Sequence, residues 1–267
     1  MPSYVITGAS RGIGYGFITA LAKQPGNTVI GLVRNKAATE AKLASDGITN
    51  VHVITADIAD YTTLSSAAAS VSQITGGSLD YLINNAALVH TDFAALPDYA
   101  PAELDKVLSE AFHVNVTGIA HTTNAFLPLI RKGSAKKVIT ISSGFADQDL
   151  ALQLDLHEAP FYSMTKAAAN MLMAKYAALL GKQEGILFLS LSPGAVDTSV
   201  GRPEPMTEEE LEAARGMFPK FMKYAPEWKG MISVEESVEM CLKVIGEASV
   251  ESMGGGFVSH FGNKQWL

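Results

Sequence analysis

The chain has 267 residues, of which 48% are hydrophobic and 18% charged, and its formal net charge is −7. That length and composition suit a folded α/β chain with a sizeable core. The acidic balance excludes a generic nucleic-acid binder, which needs a basic stripe for phosphates, and one cysteine, Cys241, excludes an intrachain disulfide.

The first residues run directly into an apolar strand signal at 4–7, without the charged and apolar regions of a secretory leader. No apolar run approaches the ~18 residues of a membrane span. The expectation is a cytoplasmic protein in a reducing compartment, with no membrane and no metal. Further strand signals follow at 28–33, 51–55, 79–84, 137–142, 186–191 and 256–259. Several are apolar throughout, as strands buried on both faces of a parallel sheet are. Helical patterns lie between them at 13–24, 60–74, 102–130, 162–181 and 233–247. Cys241 sits in the last, among Val238, Met240, Val244 and Ile245, and reads as a buried small hydrophobe. This alternation predicts an α/β, doubly wound parallel sheet of Rossmann type, with residues 1–267 as one domain. Residues 199–232 break the rhythm. They hold no convincing strand, several methionines and aromatics, and a helix start at Thr207-Glu208-Glu209-Glu210.

The first strand leads into Thr7-Gly8-Ala9-Ser10-Arg11-Gly12-Ile13-Gly14 and then into a helix. Small residues there let the backbone turn tightly and let a pyrophosphate approach the amides. The spacing is Gly-x-x-x-Gly-x-Gly, not the usual Gly-x-Gly-x-x-Gly. Thr7–Gly14 resembles the cofactor loop of the short-chain dehydrogenase/reductase family. Later motifs repeat the match, in order, over nearly the whole chain.

That resemblance implies an oxidoreductase that moves a hydride between a nicotinamide cofactor and a carbonyl or alcohol carbon. Cofactor contacts fall on Gly8, Ser10, Arg11, Gly12, Ile13 and Gly14. The second strand ends in Arg34-Asn35, where NAD binders place a carboxylate for the ribose 2′-hydroxyl. Arg34, with Arg11, would instead pair with a 2′-phosphate, which selects NADP(H). Asp57-Ile58 resembles the adenine-contacting pair. Asn84-Asn85-Ala86-Ala87 resembles the family's Asn-Asn-Ala-Gly element, with Ala87 where glycine is usual, and places Asn85 and Ala86 on the cofactor cleft. Pro193, Gly194, Val196 and Thr198 match the element around the nicotinamide.

Tyr162 and Lys166 are four apart on one helix face. A free tyrosine has a pKa of about 10, too high for a base at neutral pH, and a nearby ammonium favours its phenolate. In the family, Tyr162 exchanges the proton with the substrate oxygen. Lys166 orients the nicotinamide ribose and lowers the phenol's pKa. Ser143 ends the strand at 137–142 and hydrogen-bonds the substrate oxygen; a one-residue slip would select Ser142 instead. Asn115, disfavoured in mid-helix, matches the asparagine that holds a water joined to the lysine.

Ser143 and Tyr162 lie farther apart than the family's usual spacing. The extra residues, within 145–161, either wall the substrate pocket or change a subunit contact. His157 in this stretch and His113 beside Asn115 read as exposed and structural respectively. Residues 199–232 occupy the family's lid position, either as an adaptable apolar cover or as a fixed helical cap. The tail Gly256-Phe257-Val258-Ser259-His260-Phe261-Gly262 resembles the carbonyl-reductase, sniffer-like and secondary-metabolite ketoreductase branch. The implied partners are an apolar or aromatic carbonyl or alcohol substrate and other copies of the chain, as a homodimer or homotetramer. The alternative is a non-redox cofactor-binding scaffold or regulator on the same fold.

Overall fold

A computed structural model describes residues 1–89, 96–199 and 207–267. Seven strands form one sheet: β1 (Ser3–Thr7), β2 (Thr28–Val33), β3 (Val51–Thr55), β4 (Tyr81–Asn84), β5 (Lys137–Ile141), β6 (Leu187–Ser192) and β7 (Phe257–Ser259). All pairings are parallel and the order is β3-β2-β1-β4-β5-β6-β7. The central strands are largely apolar because successive side chains enter different cores. Tyr4 and Ile6 join a layer with α1 (Gly12–Ala22), α2 (Lys36–Ser45) and α10 (Val234–Glu247). Val5, between them, joins a layer with α3 (Tyr61–Thr75), α5 (Gly118–Ile130) and α7 (Pro160–Tyr176). Cys241 is fully buried in the first layer, where burial pushes its thiol up to about 12.

The sequence expectations change at three places. Helix α2 was not signalled: only Thr39 and Leu43 of its residues are buried, too little for a clear apolar stripe. The pattern at 102–130 is not one regular helix. It divides into α4 (Pro101–Phe112), a π-helical turn (His113–Thr117) and α5. The pattern at 162–181 likewise divides, into α7 and a second π-helical turn (Ala177–Gly181), and further α-helices are α6 (Gln148–Gln153), α8 (Lys182–Glu184), α9 (Glu208–Tyr224) and α11 (Val250–Met253). Of the predicted lid, 200–206 lie outside the described residues. Helix α9 starts where the sequence signals it, with the Thr207–Glu210 capping box formed in both directions. Among the described residues, no helix is long and apolar enough to cross a membrane.

The strand order reverses between β1 and β4, and their carboxyl ends open the crevice where such folds bind ligands. The opposite ends are held by Asp80. Its carboxylate accepts from Ser3 N at 2.9 Å, Ser3 Oγ at 3.1 Å, Ser134 N at 2.7 Å and Ala135 N at 3.2 Å. Burial alone raises the pKa of this group, but hydrogen bonds from Ser3, Ala135 and Ser134 outweigh it and hold the carboxyl below its ordinary value. The sign follows: this contribution is complete above about pH 4 and is lost as pH falls through the lowered folded value. Asp80→Ala should lower stability by about 2–4 kcal/mol at pH 7, because it orphans buried donors. Urea unfolding checks this, and the gap between wild type and variant should shrink at pH 3; a gap independent of pH would contradict it.

Candidate active site

The glycine loop joins β1 to α1. Gly8 has φ +66° and Gly12 φ +54°, where L side chains are rare. Gly14 answers a different need: a Cβ there would lie 2.3 Å from the Gly8 carbonyl oxygen and 2.5 Å from Asn85 Nδ2. The loop is stitched to the end of β4. Thr7 Oγ1 accepts from Asn85 N and Ala86 N, each at 3.0 Å, and Asn85 Nδ2 donates to Thr7 O at 3.0 Å and Gly8 O at 3.3 Å. Ile13 is half-buried, while Ser10 and Arg11 are exposed. Arg11 occupies the N-cap of α1, and its side chain makes no capping bond. Arg34 is exposed at the end of β2, and Asn35 caps α2 by accepting from Ala38 N at 3.1 Å. Among the described residues neither arginine has an ion-pair partner. Asp57 Oδ1 closes a turn by accepting from Ala59 N at 2.9 Å, and Ile58 is buried against Gly118.

After β6, Pro193 O accepts from the buried Ser237 Oγ at 2.7 Å. Val196 forms a parallel bridge with Ile232, through Asp197 N to Ile232 O and Ile232 N to Ala195 O, each 2.9 Å. Thr198 is exposed, beside Gly12: a Cβ on that glycine would meet the Thr198 side chain at 3.7 Å. The His260 imidazole packs on the Gly194 side of this segment and is buried, which pulls its pKa down to about 4. The sequence reading used His260 only as part of the tail pattern.

Helix α7 carries Tyr162, Thr165 and Lys166. Phe161 packs it in one cluster with Leu104, Val107 and Leu108 of α4 and makes an edge contact with Tyr99, just before α4, ring centroids 5.0 Å apart. Tyr162 is half-buried, with the Ser143 side chain beside its phenol. Ser142, at the end of β5, is turned away and donates to Asn170 Oδ1 at 2.7 Å. Lys166 is 2% exposed; its Nζ donates to Ile141 O at 2.6 Å and lies 5.4 Å from the Tyr162 ring centroid. Burial pulls this ammonium down to about 8. Burial also pushes the Tyr162 phenol up to about 12, with the Ser143 side chain pulling the other way. The sequence expectation of a lowered phenol pKa is therefore not met by the protein's own groups, because desolvation outweighs them.

Asn115 is fully buried within the π-helical turn. Its Oδ1 accepts from Leu88 N at 2.7 Å, and its Nδ2 donates to Leu88 O at 2.8 Å and to Thr165 Oγ1 at 3.0 Å. The side chain thus joins Leu88, in the segment after β4, to α7. Thr165 carried no sequence signal beyond its place beside Tyr162. His157 and His113 are both exposed, and the His157 ring faces Asp155 O.

The residues between β5 and α7 form a third core with the lid helix and the C-terminus. Leu150, Leu154, Phe221 and Trp266 are its buried members, with Phe145, Met217, Tyr224 and Trp228 packed on them. Trp266 presses on Gly144, next to Ser143: a Cβ there would lie 2.9 Å from Trp266 Cβ.

Comparison with known proteins agrees with this geometry. Residues 3–209 match the family model for short chain dehydrogenase. The chain is 52% identical to the short-chain dehydrogenase/reductase AacuF of Aspergillus aculeatus and 45% identical to the short chain dehydrogenase virK of Hypocrea virens, with 100% of both chains covered in each case. Among solved structures, the NADPH-bound carbonyl reductase from chicken fatty liver has a TM-score of 0.77 at 25% identity, covering 98% of each chain. The carbonyl reductase Sniffer of D. melanogaster has the same fold, with a TM-score of 0.77 at 22% identity over 98% of each chain.

Proposed function

We propose a function from one premise: the chain belongs to the short-chain dehydrogenase/reductase family and is an oxidoreductase of that type. The finer reading is that it reduces a ketone or aldehyde to an alcohol, or runs the reverse, with NADP(H). The observation that carries it is the Ser143–Tyr162–Lys166 arrangement, a phenol beside a serine hydroxyl with a buried ammonium near its ring.

The residues present fit the cofactor. The loop at Gly8 and Gly12 takes a conformation open to close backbone approach, and the first turn of α1 has no side-chain cap competing for its N–H groups. Ser10, Ile13 and Gly14 complete that loop. Arg11 and Arg34 are the exposed cations for a 2′-phosphate. Asp57 and Ile58 would hold the adenine end, Asn85 and Ala86 the cleft wall, and Pro193, Gly194, Val196 and Thr198 the nicotinamide end. NADPH when bound supplies the hydride.

The chain's own groups manage the oxygen and the proton. Ser143 Oγ and the Tyr162 hydroxyl together hold the carbonyl oxygen. A phenol pushed up to about 12 stays protonated at neutral pH, so Tyr162 is set to donate in the reductive direction. Lys166 orients the ribose and brings positive charge to the phenol, favouring release of its proton. Asn115 keeps the segment after β4 and α7 in register, and we place the proton-relaying water of this site beside it. Residues 199–232 act as the lid. The methionines and aromatics of the lid suit an apolar or aromatic carbonyl compound. The NADPH-bound carbonyl reductase among the similar structures supports the same reading. Helix α7 exposes Met164 and Met171, a face suited to a second copy of the chain in a homodimer or homotetramer.

Tyr162→Phe should bind NADPH as wild type does and lose ketone reduction by about two to four orders of magnitude. Stopped-flow or steady-state consumption of NADPH measures this, and near-wild-type turnover would refute the role. Arg34→Asp should raise the KM for NADPH by about tenfold or more while leaving that for NADH nearly unchanged. Equal effects on both cofactors would overturn the NADP(H) assignment.

A further inference from the structure

The turn between α6 and α7 is held in an unfavourable backbone conformation. Asp155 and Ala159 both have φ +50°, a left-handed region that costs any residue with a Cβ. Ala159 is the N-cap residue of α7 and has no side chain to cap it; its carbonyl accepts from Ser163 N and Ser163 Oγ, each at 3.0 Å. Tyr162 lies within that first turn. Whatever fixes residues 155–159 therefore fixes where α7 starts and where the phenol stands.

The Leu156 N–H, donating to Ala151 O at 2.9 Å, and one side chain from the lid helix hold this turn. Lys220 Nζ, on α9, donates to Asp155 O at 2.8 Å and to Glu158 Oε1 at 2.8 Å. The two contacts bracket the turn. The pair is mostly shielded, with side-chain exposures of 24% and 14%, so it is screened less than a surface ion pair. Glu158 Oε2 is buried without a hydrogen-bond partner, and Lys220, ahead of the neighbouring His157, is the main cation holding that carboxyl below its ordinary pKa. The apolar side of the same junction is the packing of Phe221 and Met217 of α9 on Leu150 and Leu154. Helix α9 is thus joined to the start of the catalytic helix by a charged clamp and an aromatic core together.

We propose that Lys220 is a positioning residue: by clamping the strained 155–159 turn to α9, it makes seating of the lid helix set the Tyr162 phenol beside Ser143. The proposal rests on the reading of Tyr162 given above. It assigns the longer stretch between Ser143 and Tyr162 a task, which is to give the lid a handle on α7. Lys220 does not touch the reacting atoms. It acts through Asp155, Glu158 and Ala159.

The test compares wild type with Lys220→Met, Lys220→Arg and Glu158→Gln, using an aromatic ketone and NADPH. Both tryptophans, Trp228 and Trp266, belong to the core under α9, so acrylamide quenching of tryptophan fluorescence reports its seating. Lys220→Met should lower kcat/KM for the ketone by about tenfold or more, with the KM for NADPH held within about twofold and quenching increased. Lys220→Arg should restore most of the loss, since its guanidinium reaches the same oxygens. If Lys220→Met fails to fold, Glu158→Gln should still lower ketone kcat/KM by about threefold or more. Unchanged ketone kinetics in the foldable variants, or a loss shared equally with NADPH affinity and not rescued by arginine, would overturn the proposal. A wild-type protein that reduces no ketone would instead overturn the proposed function, and the quenching comparison would still test the clamp by itself.

Discussion

An ammonium enclosed in a protein must be compensated, because removing it from water costs several kcal/mol even after relaxation. Lys166 is enclosed at 2% exposure, and its visible compensation is one carbonyl, Ile141 O, at 2.6 Å. That bond ties α7 to the end of β5. It also puts positive charge beside the Tyr162 ring and leaves Ser143, two residues past Ile141, to meet the phenol. Much of the surrounding structure serves to keep this arrangement in place. Phe161 packs α7 on α4, Asn115 joins it to Leu88 after β4, and Ser142 bonds Asn170 one turn further along.

The order of the parallel sheet decides which residues meet at the site. The crevice between the ends of β1 and β4 brings Thr7, Gly8 and Asn85 into one hydrogen-bonded group, although Asn85 lies far along the chain from the loop. Thr198 and Gly12 meet across the same cleft, and the bridge between Val196 and Ile232 carries the chain back from the lid to α10. The cofactor candidates and the reacting candidates thus share one edge of the sheet, as expected for the family to which the chain belongs.

How much of this could be read beforehand depended on whether the signal was local. The strands were legible because Val5, Ile6, Val29 and Ile30 are buried on opposite faces and leave apolar runs. The glycine loop was legible because its spacing follows a strand and opens a helix. Helix α2 was not, since its few buried residues make almost no stripe. The π-helical turn was not, although a mid-helix asparagine marked its place; the turn exists to aim Asn115 at Leu88 and Thr165. The burial that raises the Tyr162 pKa in the protein alone was not legible for the same reason. A neighbouring lysine can be read from spacing, but desolvation belongs to the packed structure. The clamp from Lys220 to Glu158 joins residues 62 apart, and nothing in either local pattern announces it.

The central claim is that a protonated phenol backed by a buried ammonium delivers the proton. The most direct measurement is the pH dependence of kcat/KM for ketone reduction, which reports the ionisations of the free protein. With the phenol pushed up to about 12 and the ammonium pulled down to about 8, the rate should be flat through neutral pH and decline above about pH 8 as Lys166 loses its charge. In Lys166→Met the remaining activity should be low and that decline should vanish. A rate that rises through this range, or a decline that survives the loss of Lys166, would contradict the account.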